Sequence, residues 1–353
     1  MKKWISLLLT FSSLLGFACS KPSNDSKSSS TSSSSVVKIN GAGATFPYPL
    51  YSKWFSEYNK INPNIQMNYQ SIGSGGGIQQ IKAKTVDFGA SDAPLSAEEE
   101  KSMPAPVVQI PATAGSVVIS YNIAGIDKGL KLTGEVVGDI FVGAIKKWND
   151  PKITELNTGI NLPDLPIAVI HRSDGSGTTY IFTDYLSKVS PPFASQAGRG
   201  KSVNWPTGLG AKGNEGVAGQ IKQTPGAIGY IEYAYAVQNK LAFAALKNKS
   251  GKFIEPSPAA TTAAIQGMSQ ELQKNIGTSI TDSAGENTYP ISGLTYLILY
   301  KTQEDSTKGK TMLEFLNWAM TEGQKKAEAL YYAPLPAEVL KMNEATLSSI
   351  LVN

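Results

Sequence analysis

Ile167-Ala168-Val169-Ile170-His171-Arg172-Ser173-Asp174-Gly175-Ser176-Gly177-Thr178-Thr179 reads as a strand running into a turn and then a helix. The apolar run 167–170 is a strand, the Gly/Ser/Thr stretch after it is a turn, and Ile181, Tyr185, Leu186 and Val189 then recur at helical spacing. The same unit occurs twice more. Gly41-Ala42-Gly43-Ala44-Thr45-Phe46 follows the strand Val36-Val37-Lys38-Ile39 and precedes a helix marked by Leu50, Trp54, Tyr58 and Ile61. Gly73-Ser74-Gly75-Gly76-Gly77 follows Ile65-Gln66-Met67-Asn68-Tyr69 and opens a helix carrying Ile78 and Ile81. Strands alternating with amphipathic helices predict an α/β fold.

Outward from these units the pattern continues. Val86-Asp87-Phe88 and Val117-Val118-Ile119 are further buried runs, and Ser96-Ala97-Glu98-Glu99 and Thr311-Met312-Leu313-Glu314 each have the spacing of a capping box that starts a helix. The proline-rich stretch from Met103 to Pro111 interrupts the alternation and is expected to cross between two lobes, with Tyr289-Pro290-Ile291 as the return crossing. The expected organisation is 1–18 signal peptide, 19–35 tether, 36–112 first lobe, 113–290 second lobe, and 291–353 mainly first lobe. The 353 residues are enough for two such lobes around a sizeable core.

The N-terminus reads as a targeting segment. Met1-Lys2-Lys3 is a short positive end, and residues 5–18 form an apolar run broken only by Ser, Thr and Gly. Gly16 and Ala18 suit ordinary cleavage after Ala18, yet the chain's sole cysteine, Cys19, stands directly after that point. The layout resembles a bacterial lipoprotein signal, in which this cysteine receives a lipid, although Gly16 and Phe17 depart from the usual residues before the cut. Residues 20–35 contain ten serines and almost nothing apolar, the composition of a flexible tether.

Composition removes several function classes. There are 32 cationic and 28 acidic residues, and loss of Lys2 and Lys3 with the first 18 residues leaves 30 against 28, too nearly neutral for a nucleic-acid binder. One cysteine and one histidine, His171, leave no Cys/His zinc site and no Cys-based redox pair within one chain. The first turn lacks the third glycine of a dinucleotide fingerprint, and Glu304 stands where a P-loop ending in Gly309-Lys310-Thr311 needs glycine. A serine hydrolase would need His171 as its base, but His171 closes an apolar strand and points opposite to Arg172, so a structural role is expected. No catalytic residue and no cofactor are expected.

The three turns fit an anion. Free N–H groups and the positive helix end favour negative charge there, and glycine allows close backbone approach. Glycine also ends strands in proteins that bind nothing, so one turn alone says little. Three of them, one beside Arg172, which is one of only two arginines (the other is Arg199), point to a bound oxyanion. Arg172 can fork onto that anion, or pair with Asp174 two residues on, or both.

These turns, together with Val86-Asp87-Phe88-Gly89-Ala90-Ser91-Asp92-Ala93-Pro94-Leu95, Gly213-Asn214-Glu215-Gly216-Val217 and Gly226-Ala227-Ile228-Gly229-Tyr230, resemble the phosphate-binding proteins of bacterial phosphate ABC transporters. The resemblance runs in order from about Lys38 to the C-terminal region. It implies a two-lobed periplasmic-binding fold of type II that holds one dehydrated inorganic phosphate between its lobes and delivers it to permease subunits. It also implies the ligand set Thr45, Phe46, Ser74, Asp92, Arg172, Ser176, Gly177 and Thr178, with Phe46 acting through its backbone N–H. A carboxylate such as Asp92 can only accept a hydrogen bond, so it rewards an anion that still carries a proton and repels sulfate, which carries none. A turn-forming Asp before Pro94 is the alternative reading of the same residue. The expectation is a monomeric, lipid-anchored binding protein outside the cytoplasmic membrane. A carrier of another tetrahedral oxyanion and a surface phosphate sensor are the alternatives, and a phosphate-ester hydrolase is disfavoured for want of a metal-ligand cluster.

Overall fold

The computed structural model describes residues 36–353 of the chain; the expected signal peptide at 1–18, Cys19 and the expected tether lie outside them. The first stretch runs β1 (Val37–Gly43), α1 (Tyr48–Ile61), β2 (Ile65–Ser71), α2 (Ser74–Lys82), β3 (Phe88–Ser91), α3 (Ala97–Lys101) and β4 (Val107–Tyr121). Next come β5 (Lys131–Leu132), α4 (Gly134–Phe141), α5 (Pro151–Thr154), β6 (Ala168–Arg172), α6 (Gly177–Val189), α7 (Pro191–Gln196), β7 (Leu209–Ala211), α8 (Gly213–Gln223) and β8 (Ala227–Glu232). They are followed by α9 (Tyr233–Gln238), β9 (Ala242–Phe243), β10 (Ala245–Lys247), β11 (Phe253–Ile254), α10 (Pro258–Gln266) and α11 (Ser269–Lys274). The chain closes with β12 (Ser292–Tyr300), β13 (Thr302–Gln303), α12 (Ser306–Trp318), α13 (Ala337–Ser348) and β14 (Leu351–Val352).

The main sheet has the order β2-β1-β3-β12-β4-β8-β6-β7, with β9 also on β4. Its two halves share one strand. Residues 107–116 of β4 pair antiparallel with β12, and from Val117 onward the same strand pairs antiparallel with β8. Around this seam β1, β2 and β3 are mutually parallel on one side, and β6, β7 and β8 on the other. This is the α/β, two-lobed arrangement expected from the alternating strands and helices.

Two local expectations are corrected. The stretch Val107 to Pro111 does not interrupt the elements, because it forms the first part of β4; Pro111 sits where the pairing with β12 shifts register between Thr295 and Tyr296. A bulge tolerates proline because the missing N–H would have had no ladder partner there. The helix assigned to the box at Thr311 instead begins at Ser306, where the Asp305 carboxylate accepts from Lys308 N at 3.0 Å. Thr311 is buried within that helix, so its hydroxyl has no free turn to cap.

Each half packs its own aromatic core. Tyr51, Trp54, Tyr58, Phe88 and Phe315 fill the space between α1, α12 and the first half-sheet. In the second half Phe182 stacks on Tyr230 with centroids 4.2 Å apart, and Phe141, Phe193 and Trp205 surround the pair. His171 stacks on Trp205 at 4.8 Å and its Nδ1 lies 3.0 Å from its neighbour's carbonyl, Arg172 O, while burial lowers its pKa. It is a structural histidine.

The site-bearing helix α2 lies against the end of β1 through Gly77. A Cβ there would stand 2.6 Å from Ala42 O and clash with Gly43 Cα. Gly77→Ala is therefore expected to lower stability by about 1–3 kcal/mol and to weaken ligand binding by displacing Ser74. Gly219 of α8 has open space around it, and Gly219→Ala should raise stability by up to ~1 kcal/mol. Thermal unfolding of both variants checks the contrast.

Candidate functional site

The three turns converge at the seam between the two halves. β1 ends at Gly43, whose φ of +148° and contact with the β3 backbone exclude a side chain, and delivers Thr45 and Phe46 to the start of α1. Phe46 buries its ring against Tyr332, whose hydroxyl donates to Phe46 O at 2.7 Å. Tyr235 donates to Thr45 O at 2.6 Å from the opposite half. The backbone of this turn is thus held from both sides.

The second and third turns touch directly. Ser74, first residue of α2, accepts through Oγ from Gly177 N at 3.0 Å and from Asp92 N at 3.2 Å, and Gly75 N donates to Gly175 O at 2.8 Å. Gly177 opens α6 so close to the first half that a Cβ would stand 2.6 Å from Asp92 N and Ser74 Oγ. Ser176 caps α6, its Oγ accepting from Thr179 N at 3.0 Å. Three helices, α1, α2 and α6, therefore present their N-termini to one buried spot.

Arg172 ends β6 almost fully buried. Its Nε and Nη2 donate to the two oxygens of Asp174 at 2.8 and 2.6 Å, and Nη1 donates to Thr178 Oγ1 at 3.3 Å. Burial alone would raise the Asp174 pKa, but the guanidinium outweighs it and the carboxyl is held below its usual range, helped by Gly213 N at 3.1 Å. The pairing reading of Arg172 is thus realised in full, and its other Nη reaches the Thr178 hydroxyl.

Asp92 follows β3 and is 3% exposed. Burial pushes its pKa up to about 7 against the opposing pull of the Thr295 hydroxyl, which donates to Oδ1 at 2.9 Å, and of Arg172. With Asp174 already matched to Arg172, the surroundings offer an anion oriented dipoles rather than surplus positive charge, alongside one carboxyl that readily holds a proton. A second buried acid, Glu232, lies one layer further back; burial raises it well above its ordinary range, and Tyr332 donates to Oε2 at 3.1 Å.

All eight residues named from the sequence fall in this cluster, and residues with no assigned role complete it. Asn214, first in α8 after Gly213, touches Thr45 and Thr178. Thr295 and Tyr235 hold Asp92 and the first turn. Asn214 stood in view inside Gly213-Asn214-Glu215, whereas Thr295 had only the faint signal of a polar residue in the apolar run of β12. At the edge of the seam Lys201 pairs with Glu99 of α3 at 2.6 Å. No group of three metal-ligating side chains occurs among the described residues.

A family model described as a PBP superfamily domain matches residues 28–322. The chain is 50% identical over 308 residues to the phosphate-binding protein PstS of Pasteurella multocida, covering 87% of this chain and 89% of that one. It is 45% identical to PstS of Xylella fastidiosa, with 93% of each chain covered. Among solved structures, a phosphate-binding protein from Stenotrophomonas maltophilia superposes with a TM-score of 0.67 at 19% identity, covering 89% of this chain and 99% of that one. The periplasmic phosphate-binding protein PfluDING, bound with phosphate, superposes with a TM-score of 0.69 at 23% identity, covering 88% and 93%. At those identities the superpositions establish the fold.

An acid whose pKa is raised by folding holds more protons folded than unfolded between its two pKa values, so stability declines as pH rises from about 4 to about 7. Asp92→Asn removes that loss. In phosphate-free protein the variant should be more stable than the parent at pH 8, by up to roughly 4 kcal/mol, and the gap should narrow to less than half of that at pH 5. Calorimetric scans at the two pH values check this.

Proposed function

Because the chain belongs to the PstS family of phosphate-binding proteins within the PBP superfamily, we propose that it captures one dehydrated inorganic phosphate at the seam and hands it to the permease of an ABC importer. The observation that carries the choice of ion is Asp92, an acceptor buried among donors. Thr45, Ser74, Ser176 and Thr178 give hydroxyls, Phe46 gives its backbone N–H, Gly177 lets the third turn approach closely, and Arg172 gives the second N–H of Nη1. Asp92 takes the ligand's proton, which a fully ionised sulfate lacks.

The chemistry is binding alone. His171, the one histidine, is committed to Trp205 and to a backbone carbonyl. Bridging turns from both lobes gives the ion differential affinity for the closed form, which is what drives closure. In this reading residues 36–112 and 291–353 form one lobe and 113–290 the other, turning about β4 and the segment Tyr289-Pro290-Ile291. No helix among the described residues is long and apolar enough to cross a membrane. Cys19, after a signal peptide at 1–18, takes the lipid that anchors the protein outside the cytoplasmic membrane, with 19–35 as its tether.

Titration of phosphate-stripped full chain at pH 8 should give one phosphate site and no sulfate binding. At pH 5, where Asp92 carries its own proton and can donate, sulfate binding should emerge. Arg172→Ala should cost on the order of 2–5 kcal/mol of phosphate affinity, part of it from groups left unpaired. Arg199, which pairs with Asp184 at 2.9 Å, serves as the control, and Arg199→Ala should leave affinity within about twofold because Asp184, which keeps Lys188 and the Ser279 hydroxyl as partners, is not among the site residues. Equal affinity for the two anions at pH 8 overturns the assignment of Asp92.

Cys19→Ala should give protein with unchanged phosphate affinity that neither partitions into detergent nor incorporates labelled fatty acid. Parent protein found unlipidated and cut after Ala18 excludes the anchor.

A further inference from the structure

The hydroxyls of Thr45 and Thr178 come from opposite halves of the molecule and meet one side chain. Asn214 Nδ2 donates to Thr45 Oγ1 at 2.8 Å and to Thr178 Oγ1 at 3.1 Å. Each hydroxyl receives a second donor: Asn214 N reaches Thr45 Oγ1 at 3.1 Å, and Arg172 Nη1 reaches Thr178 Oγ1 at 3.3 Å. A hydroxyl has two lone pairs to accept with and one proton to give. Both oxygens are therefore filled as acceptors, and each can act only as a donor, toward a ligand or, for Thr178, toward the Asp92 carboxyl beside it.

Asn214 is itself held in one orientation. It is fully buried, and its Oδ1 accepts from Glu232 N at 2.9 Å. Flipping the amide would set Nδ2 against that N–H, donor facing donor, and leave two hydroxyls contending for one oxygen. Its polarity is thus fixed by the backbone of β8, not by the ligand.

We infer that Asn214 is a positioning residue that makes Thr45 and Thr178 obligate donors to phosphate, leaving Asp92 as the group that accepts the ligand's proton. The inference rests on the phosphate site lying at this seam. A phosphate hydroxyl turned toward either threonine meets a donor, which favours the orientation that aims its proton at Asp92. Selectivity for a protonated anion then has two parts: an acceptor where the proton belongs, and filled acceptors where it does not.

A double-mutant cycle tests this, using calorimetric titration of inorganic phosphate into the full chain. Asn214→Ala frees both hydroxyls to rotate and should weaken binding about tenfold, the worth of a hydrogen bond or so. Asn214→Asp keeps the size and the bond to Glu232 N but replaces the shared donor with an acceptor and adds a charge, and should weaken binding about 100-fold or more. In a Thr45→Val/Thr178→Val background the alanine substitution should change affinity by no more than about twofold, and the aspartate loss should shrink by about tenfold. Losses that are the same in both backgrounds would mean that Asn214 acts through packing, and overturn the inference. If Asn214→Ala does not fold, the aspartate arm decides alone by the same criterion. Arg172→Ala that binds phosphate like the parent would instead remove the seam as the phosphate site, whatever Asn214 does.

Discussion

A carboxylate kept out of water among hydrogen-bond donors is the constraint from which the site takes its form. Asp92 can be buried only if something shares its charge or its proton, and the surrounding groups divide that work. Thr295 occupies Oδ1, Ser74 holds the Asp92 backbone, and Arg172 lies within electrostatic reach while its charge is committed mainly to Asp174. The Thr178 hydroxyl also reaches the carboxyl. Stronger positive charge near Asp92 would hold it ionised and pull in any anion; the neutralised Arg172-Asp174 pair avoids that, at the expense of overall attraction for anions.

The helix termini supply the rest of the attraction. In the proposed reading, because α1, α2 and α6 begin at the same seam, donors of their first turns replace the water that a phosphate loses on entry. Such donors are fixed by the fold within each lobe, so little local reorganisation accompanies closure. Close backbone approach makes the geometry possible: Gly43, Gly77 and Gly177 lie where any side chain would push the turns apart.

Much of this was legible in the sequence because it is written in local units. A strand, a glycine turn and a helix lie within twenty residues of one another, so Thr45, Ser74, Arg172 and Thr178 announced themselves by position, and the resemblance sharpened their roles. Asn214 and Thr295 did not, since each gains its role only when remote segments meet: Asn214 and Thr45 are 169 residues apart, Thr295 and Asp92 are 203 apart. Proline misled at Pro111, where a bulge absorbs it, and a capping pattern misled at Thr311, where a stronger Asx cap at Asp305 starts the helix earlier. Both errors are local rules overridden by neighbours in the fold.

The shared strand has a consequence for how the molecule is put together. β4 is a ladder partner of β12 along one part of its length and of β8 along the other, with no loop between. Neither half owns it. Excising either lobe would strip the other of a central strand and expose two raw sheet edges, so the lobes are not separable modules in the manner of beads on a string. In the proposed reading their relative movement is likewise confined to what β4 and the crossing at Tyr289-Pro290-Ile291 can absorb by twisting. The same stretch of backbone is at once core and covalent link, so residues 36–353 should stand or melt as a single cooperative body.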